Sequence, residues 1–347
     1  MTNKTFRLKG HLTTLTQIHI VPPGTPEVTI TGEKVKQISH EVIWRDGARI
    51  EVPCIPSSTM RGALRRAATD LAYDLGGSGD KPKLDDYLYN AVGGVKGNEK
   101  EDLGEINARA ARRAANPIIA LYGAATPWDR SRALISSAYA DPEIYQTAVP
   151  TAERIGSRRS DDMIARPGLE SLLGGDALAD WEAMRGATKE NKAVSDKIKK
   201  LRSQARGANE VDKKAFYDQI EELEGKKSGT NSLLRPLHHA AMPRGVELAQ
   251  DITLKDVSPA EAGLFFASID HMWSVAPEFG GKIAHGYGLV RASWELFEKV
   301  DGTFVSRGML TAEPHVGLED ATPVAEEIAA WAEYRESGAM NLKAGIS

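Results

Sequence analysis

The stretch Val52-Pro53-Cys54-Ile55-Pro56-Ser57-Ser58-Thr59-Met60-Arg61-Gly62-Ala63-Leu64-Arg65-Arg66 constrains this chain more than any other. An extended run ends at a proline, and a hydroxyl-rich segment then opens a helix. From Met60 the apolar side chains continue at Ala63, Leu64, Ala67, Leu71, Ala72 and Leu75, a helical stripe. Arg61 and Arg65 sit one turn apart on the flank of that stripe, with Arg66 on the other side. A helix N-terminus offers free backbone N–H groups at the positive end of its dipole. With Ser57, Ser58 and two in-line arginines, the segment can hold a phosphate. An ordinary capped amphipathic helix with a solvated basic face presents the same residues. On these residues alone both readings stand.

The rest of the chain can be ordered around that junction. Phe6, Leu8 and Leu12 alternate with polar residues, so residues 5–20 read as a strand that Pro22-Pro23-Gly24 ends. Ile38–Arg45 and Ala48–Val52, joined by Asp46-Gly47, read as a β-hairpin. After the Gly76-Gly77-Ser78-Gly79 break, residues 80–115 are polar, with a helix expected at 104–115, which Asn116-Pro117 stops. Ile118–Gly123 leads into Ser131–Ala138, a second principal strand. Residues 141–168 show little periodicity. From Leu178 to Leu223 a narrow apolar seam (Val194, Ile198, Leu201, Phe216, Ile220) runs among lysines, as in a helical hairpin with a solvated exterior. Val246, Leu248, Ile252 and Leu254 mark a third strand, with an irregularity expected near Ala249-Gln250. Ser258-Pro259-Ala260-Glu261 is a capping box with proline at the first helical position. One face of that helix carries Phe265, Phe266, Ile269, Met272 and Trp273. A glycine-rich loop, Gly280 to Gly288, precedes a fourth strand at Leu289–Phe297, and a last helix starts at Pro323 with Thr322 as its cap.

Without its insertions the order is strand, helix, strand, strand, helix, strand. That predicts an α+β chain with a ferredoxin-like, RRM-like βαββαβ core. The expected segments are 1–75 (first half of the core with its hairpin), 76–130 (insertion), 131–140 (core strand), 141–169 (excursion), 170–240 (helical insertion), 241–298 (second half with the glycine-rich loop) and 299–347 (C-terminal extension).

Composition limits the chemistry. The single Cys54 excludes a disulfide framework and a cysteine-based zinc cluster, which fits a reducing cytoplasm. No apolar run is long enough to span a bilayer, and the Met-Thr-Asn-Lys start suggests a cytosolic protein. The net charge of −4 is a poor overall match to a nucleic-acid binder, although arginines cluster locally at 61–66, 109–113, 130–132 and 154–166. There is no nucleophile elbow, no zinc-protease motif and no Walker loop. His238-His239 are adjacent, so their rings do not share a face in a regular segment, and no metal or cofactor is expected. Gly281, Lys282, His285 and Tyr287 offer close backbone approach, a cation and rings, which suits phosphate or a stacked base. A tight turn that needs its glycines for geometry reads the same way.

Three stretches together carry a family resemblance: Lys9-Gly10-His11-Leu12-Thr13-Thr14-Leu15-Thr16-Gln17-Ile18-His19-Ile20, Ile55-Pro56-Ser57-Ser58-Thr59-Met60-Arg61-Gly62-Ala63-Leu64-Arg65, and Gly280-Gly281-Lys282-Ile283-Ala284-His285-Gly286-Tyr287-Gly288-Leu289-Val290. The chain resembles the RAMP superfamily of CRISPR-associated proteins, and within it the backbone subunit of class 1 effector complexes, most like the type IV form. The resemblance implies a non-catalytic subunit that polymerises along a CRISPR guide RNA. Its implied partners are the guide, target nucleic acid paired to it, copies of itself and other effector subunits, with no membrane. Ser57, Ser58, Arg61, Arg65 and Arg66 would hold guide phosphates, and Gly281, Lys282, His285 and Tyr287 would line the same strand. The excursion at 141–169 would be a thumb, with Arg154, Arg158 and Arg159 on RNA and Met163 or Ile164 as the wedge. Type III backbones, which cleave target RNA, carry an aspartate before the Ile-Pro-Ser segment. The stretch Gln37–His40 has none, and Asp46 lies in the hairpin turn instead. The alternative is a RAMP endoribonuclease, either a type III-like target-cleaving backbone or a guide-processing enzyme using His285, His19 or His40 as acid or base.

Overall fold

The computed structural model describes residues 3–30, 33–73, 81–93, 106–124, 130–143, 151–155, 193–205, 210–225 and 237–343. The chain forms two compact units, one from residues 1–153 and 238–347, the other from 154–237.

The larger unit opens with β1 (Lys4–Thr14), the small ladder β2 (Glu27–Ile30) and β3 (Glu33–Lys36), then β4 (His40–Arg45), β5 (Ala48–Ile55) and helix α1 (Ser57–Tyr73). Helices α2 (Leu84–Val92), α3 (Ile106–Ala115) and α4 (Pro117–Tyr122) follow, then β6 (Ala133–Ile135), β7 (Ala138–Ala140) and β8 (Thr151–Ile155). The smaller unit contains α5 (193–205) and α6 (Glu210–Gly225). The chain returns with β9 (Leu237–Ala241), which pairs with β8, then β10 (Glu247–Val257), α7 (Pro259–Val275), β11 (Val290–Val300), β12 (Thr303–Glu313), β13 (Gly317–Leu318) and α8 (Ala325–Glu336). The fold is α+β, with an antiparallel sheet.

Among the described residues the main sheet runs β13-β12-β11-β1-β10-β7-β5-β4, with β6 also on β10. Alternation decides its inner face. Phe6, Leu8 and Leu12 are fully buried with Leu248, Ile252, Leu254, Val290, Ala292, Trp294 and Leu296, in one cluster with the apolar stripes of α1 and α7. Between them along β1 stand Arg7, Lys9 and His11. The two indoles meet edge to face at 5.6 Å, and both N–H groups are satisfied inside: Trp273 Nε1 donates to the Val290 carbonyl and Trp294 Nε1 to Gln250 Oε1. The capping box of α7 forms as expected, Ser258 accepting from the Glu261 N–H and Glu261 from the Ser258 N–H. This helix is apolar on more than one face, Leu264 being buried as fully as Phe265, because α1 and α8 flank it. Gly263 allows the α8 contact, since a Cβ there would lie 1.8 Å from the Glu327 carbonyl oxygen.

The hairpin turn is built as its residues demand, with Asp46 at φ 51° and Gly47 at φ 77°, the left-handed pair that matches strand twist. Several expectations are corrected. β1 ends at Thr14, where Thr14 Oγ1 donates to the Pro243 carbonyl, and only Ile18 pairs again, with Met242. Asn116-Pro117 starts a helix as well as ending one: the Asn116 side chain accepts from the N–H groups of Ile118 and Ile119, so 117–122 is helical. The second core strand is split in two by Ser136-Ser137. β10 is regular at Ala249-Gln250, which pair with His11 and Gly10, and the register shift lies at Lys4/Phe6. Residues 299–347 add a long strand, β12, and Thr322 begins a 3₁₀ turn while α8 itself has no side-chain cap.

In the smaller unit the buried side chains among those described are Ile198, Ala205 and Ile220. Arg202 on α5 pairs with Glu224 on α6 at 3.0 Å.

Candidate nucleic-acid interface

The first helix begins against β7. The Pro56 carbonyl accepts from Thr59 and Met60, while the Ser57 N–H donates to Ser137 Oγ at 3.2 Å. One of the free donors of the helix start is therefore already used. Ser58 is exposed, Arg61 is half-buried with Nη2 3.5 Å from the Ala133 carbonyl, and Arg66 is exposed and lies back over Gly62. Arg65 differs from the expectation. It is buried, and its guanidinium donates to the carbonyls of Asn90 and Gly123, the latter at 2.8 Å. Those carbonyls close α2 and α4, so two helix C-termini converge on one cation. Burial pushes its pKa down to about 10. Arg65 is an internal clamp and does not present a charge to solvent.

The glycine-rich loop is pressed against the segment that follows β1. The Gly281 N–H donates to the His19 carbonyl at 2.8 Å and the Gly288 N–H to the Gln17 carbonyl at 2.9 Å. Gly280 and Gly288 have φ of 93° and 105°, and a Cβ on either would lie within 3 Å of a backbone oxygen, that of His19 or of Phe279. Lys282 also adopts a left-handed conformation, at φ 67°. Gly281 and His285 are exposed and Lys282 is half-buried. Tyr287 departs from the expected strand-lining position: it is buried, its ring 5.5 Å from that of His239. His239 in turn stands edge-on to His19 at 5.0 Å. His19 Nδ1 lies 2.7 Å from the Ala240 carbonyl, which requires the proton on Nδ1 and leaves Nε2 as the acceptor of the neutral ring. The His19 Cδ2 edge faces Gly281.

A row of main-chain bonds joins the two places. Gly281 bonds to His19, the Ser39 N–H donates to the Ile20 carbonyl at 2.8 Å, and the Cys54 N–H donates to the Ser39 carbonyl at 3.0 Å. Three strand spacings amount to about 14 Å. Gly281, next to Lys282, therefore stands at one end of this bonded shelf, whose middle is buried at Ser39 and Cys54, and at the other end is β5, the strand that leads into Ser58 and Arg61.

The outward face of the main sheet is charge-balanced. Arg7 pairs with Asp251 and Arg291 with Glu313, while Lys9 stands between Asp251 and Glu295 in register. Of the remaining expected contacts, Arg158, Arg159, Met163 and Ile164 lie outside the described residues. Arg154 falls in β8, with its side chain outside the described set. Among the described residues no cluster of three or more metal-ligating side chains occurs, and no helix is long and apolar enough to cross a membrane.

No family model matches the chain, and no curated protein matches it. Among solved structures, a chain of one titled "Type IV-B CRISPR Complex" is similar at 14% identity and a TM-score of 0.41, over 86% of this chain and 92% of that one.

Proposed function

We propose that this chain is a non-catalytic, guide-RNA-binding backbone subunit of a class 1 CRISPR effector complex, of type IV character. In this reading it polymerises along the guide and supports base-paired recognition of a target. One observation carries the reading. The three sequence stretches behind the family resemblance are far apart in the chain, yet one row of main-chain bonds runs from Gly281 through His19-Ile20 and Ser39 to Cys54, the residue just before the second stretch. The sheet supports a ferredoxin-like core inside the larger assembly. β11-β1-β10-β6/β7 has the antiparallel order 4-1-3-2 that a βαββαβ chain takes when α1 and α7 are its crossovers.

At the ends of the shelf, the Ser58 hydroxyl and the cations of Arg61, Arg66 and Lys282 favour phosphate contacts, which grip a strand without reading its sequence, and base pairing by the guide then supplies specificity. Ser58, Arg61 and Arg66 would meet phosphates at one end, and Gly281, Lys282 and His285 at the other. Arg65 and Tyr287 would hold the two ends in place from inside. Head-to-tail contacts that do not close give a helical filament of copies. The balanced charge on the open sheet face would discourage RNA from binding elsewhere.

Size-exclusion chromatography of the purified protein, followed at 260 and 280 nm before and after RNase, tests the proposal. The expected result is large, RNA-rich particles that collapse on digestion. A nucleic-acid-free monomer that also ignores added guide RNA would sink it.

A further inference from the structure

A cavity of about 580 Å³ opens at the far end of α1, lined by Tyr73, Lys81, Lys83, Met340, Asn341 and Lys343, with Pro82 and Leu342 completing the wall. Helix α1 rises about 1.5 Å per residue, which places Tyr73 about 24 Å from Ser57. The cavity is therefore remote from the shelf, and its chemistry is different. Two other cavities of the larger unit are lined by cations and carboxylates together, with Arg132 paired to Glu261 in one and Lys4 to Glu298 in the other. Here, among the described residues, three lysines line the space and no carboxylate does. Asp85 and Asp86 follow in the first turn of α2 but are not part of the wall.

The wall is built rather than incidental. The Leu342 carbonyl accepts from the side-chain amides of both Asn90 and Asn116, at 2.9 and 3.3 Å. The Asn341 N–H donates to the Ala115 carbonyl, and the Lys343 N–H to Asn341 Oδ1. Tyr73 is fixed as well, its hydroxyl donating to the Asp86 carbonyl at 3.3 Å and accepting from Asn90 at 3.1 Å. The backbone that carries Lys343 is thus held against α2 and the start of α4, and Lys81 and Lys83 lie in the short segment that leads into α2. Lys81, Lys83 and Lys343 are exposed, and three ammonium groups around one space repel each other unless an anion joins them.

We infer that this cavity is a second binding site, for a phosphate-bearing ligand whose charge the three lysines neutralise and whose ring or sugar lies on Tyr73 and Met340. Its volume suits a nucleotide or the terminal nucleotide of an RNA. The inference does not depend on RNA binding at the shelf.

Isothermal titration with pyrophosphate, with a nucleoside triphosphate, and with short RNAs bearing either a 5′-phosphate or a 5′-hydroxyl is the test. It compares wild type with K81Q/K83Q/K343Q, and circular dichroism checks that each variant is folded. Binding of free pyrophosphate or nucleotide, weakened at least tenfold in the triple variant and restored in K81R/K83R/K343R, assigns a small-molecule site. Preference for the 5′-phosphorylated RNA, lost in the same variant, assigns an RNA-end site. The salt dependence of binding should then become shallower by about 2 on a log–log scale. Affinities that are absent, or unchanged by the triple substitution, overturn the inference. Arg61→Ala, tested in parallel with long RNA, reports on the shelf alone, so failure at one site is distinguishable from failure at the other.

Discussion

Arg61 and Arg65 lie one helical turn apart in the same helix, and their surroundings give them opposite roles. Arg61 stands at the rim of the shelf with one long contact to a carbonyl, and its charge remains near solvent. Arg65 is enclosed by α2 and α4, gives up hydration, and is compensated by the carbonyls that end those helices. The difference comes from the insertion, not from α1. Wherever helices are stacked on the flank of a basic stripe, an arginine becomes a clamp; where they stop, it stays available to a ligand. The rim is poor in internal bonds and the inner cluster is rich in them, although Arg65 Nη2 has no hydrogen-bond partner, so substitutions should separate the two regions by what they damage.

The largest effect should follow Arg65→Ala. It strands two buried carbonyls and should lower stability by about 3 kcal/mol in a urea melt, leaving the salt slope of RNA binding unchanged in the folded fraction. A slope change without destabilisation would reverse the assignment of the two arginines. Gly280→Ala should come next, because its Cβ meets the His19 backbone at φ 93°. A loss of about 2 kcal/mol is expected, with weaker RNA binding as the loop leaves the shelf. Retained binding would detach the loop from the interface.

A pH effect sits between the two regions, at Cys54. Burial raises its thiol to about 12, from 9 in the unfolded chain. Between those values the folded state keeps a proton that the unfolded state releases, so stability is full below pH 9 and falls as pH rises. By pH 10 the loss should be about 1.4 kcal/mol relative to Cys54→Ala, measured as the difference between their melts. Parallel pH profiles would mean that the thiol is already open to solvent. The smallest stability effects belong to the rim itself. Arg61→Ala and Lys282→Asn, the latter chosen because asparagine tolerates a left-handed backbone, should each change stability by less than about 0.5 kcal/mol. Each should flatten the RNA salt slope by about 0.7. If both leave the slope unchanged, the shelf is not where RNA binds.

What the sequence made legible was local. Asp46-Gly47, the Ser258–Glu261 box and the alternation of β1 each contain their whole cause within a few residues, and each formed. Arg65 could not be read that way, since its partners are carbonyls 25 and 58 positions away. Helix α4 was misread because Ile118-Ile119-Ala120-Leu121 is too short an apolar run for its period to decide. Asn-Pro ahead of it is nevertheless a helix-start signal as much as a stop. β12 was missed although Asp301-Gly302 repeats the turn signal of the first hairpin, with φ of 48° and 87°. Its exposed Phe304, Val305 and Met309 blur the alternation that would have marked it. Of the expected interface, the end of β1, the helix start and the loop could be picked out by residue type. Their joining through Ser39 depends on tertiary structure alone.

The position of β1 has a consequence for how the protein is made. Both neighbours of this strand, β10 and β11, come from the other end of the chain; Arg7 and Asp251 pair across 244 positions. At about 5–20 residues per second, a ribosome needs roughly 10–50 s to deliver the first of those neighbours after β1 has emerged. Throughout that interval Phe6, Leu8 and Leu12 are carried on a strand with both edges unpaired, in a nascent polypeptide unable to complete its central sheet. Newly made chains should therefore depend on chaperones early in synthesis, and slower translation across 15–245 should increase aggregation rather than relieve it.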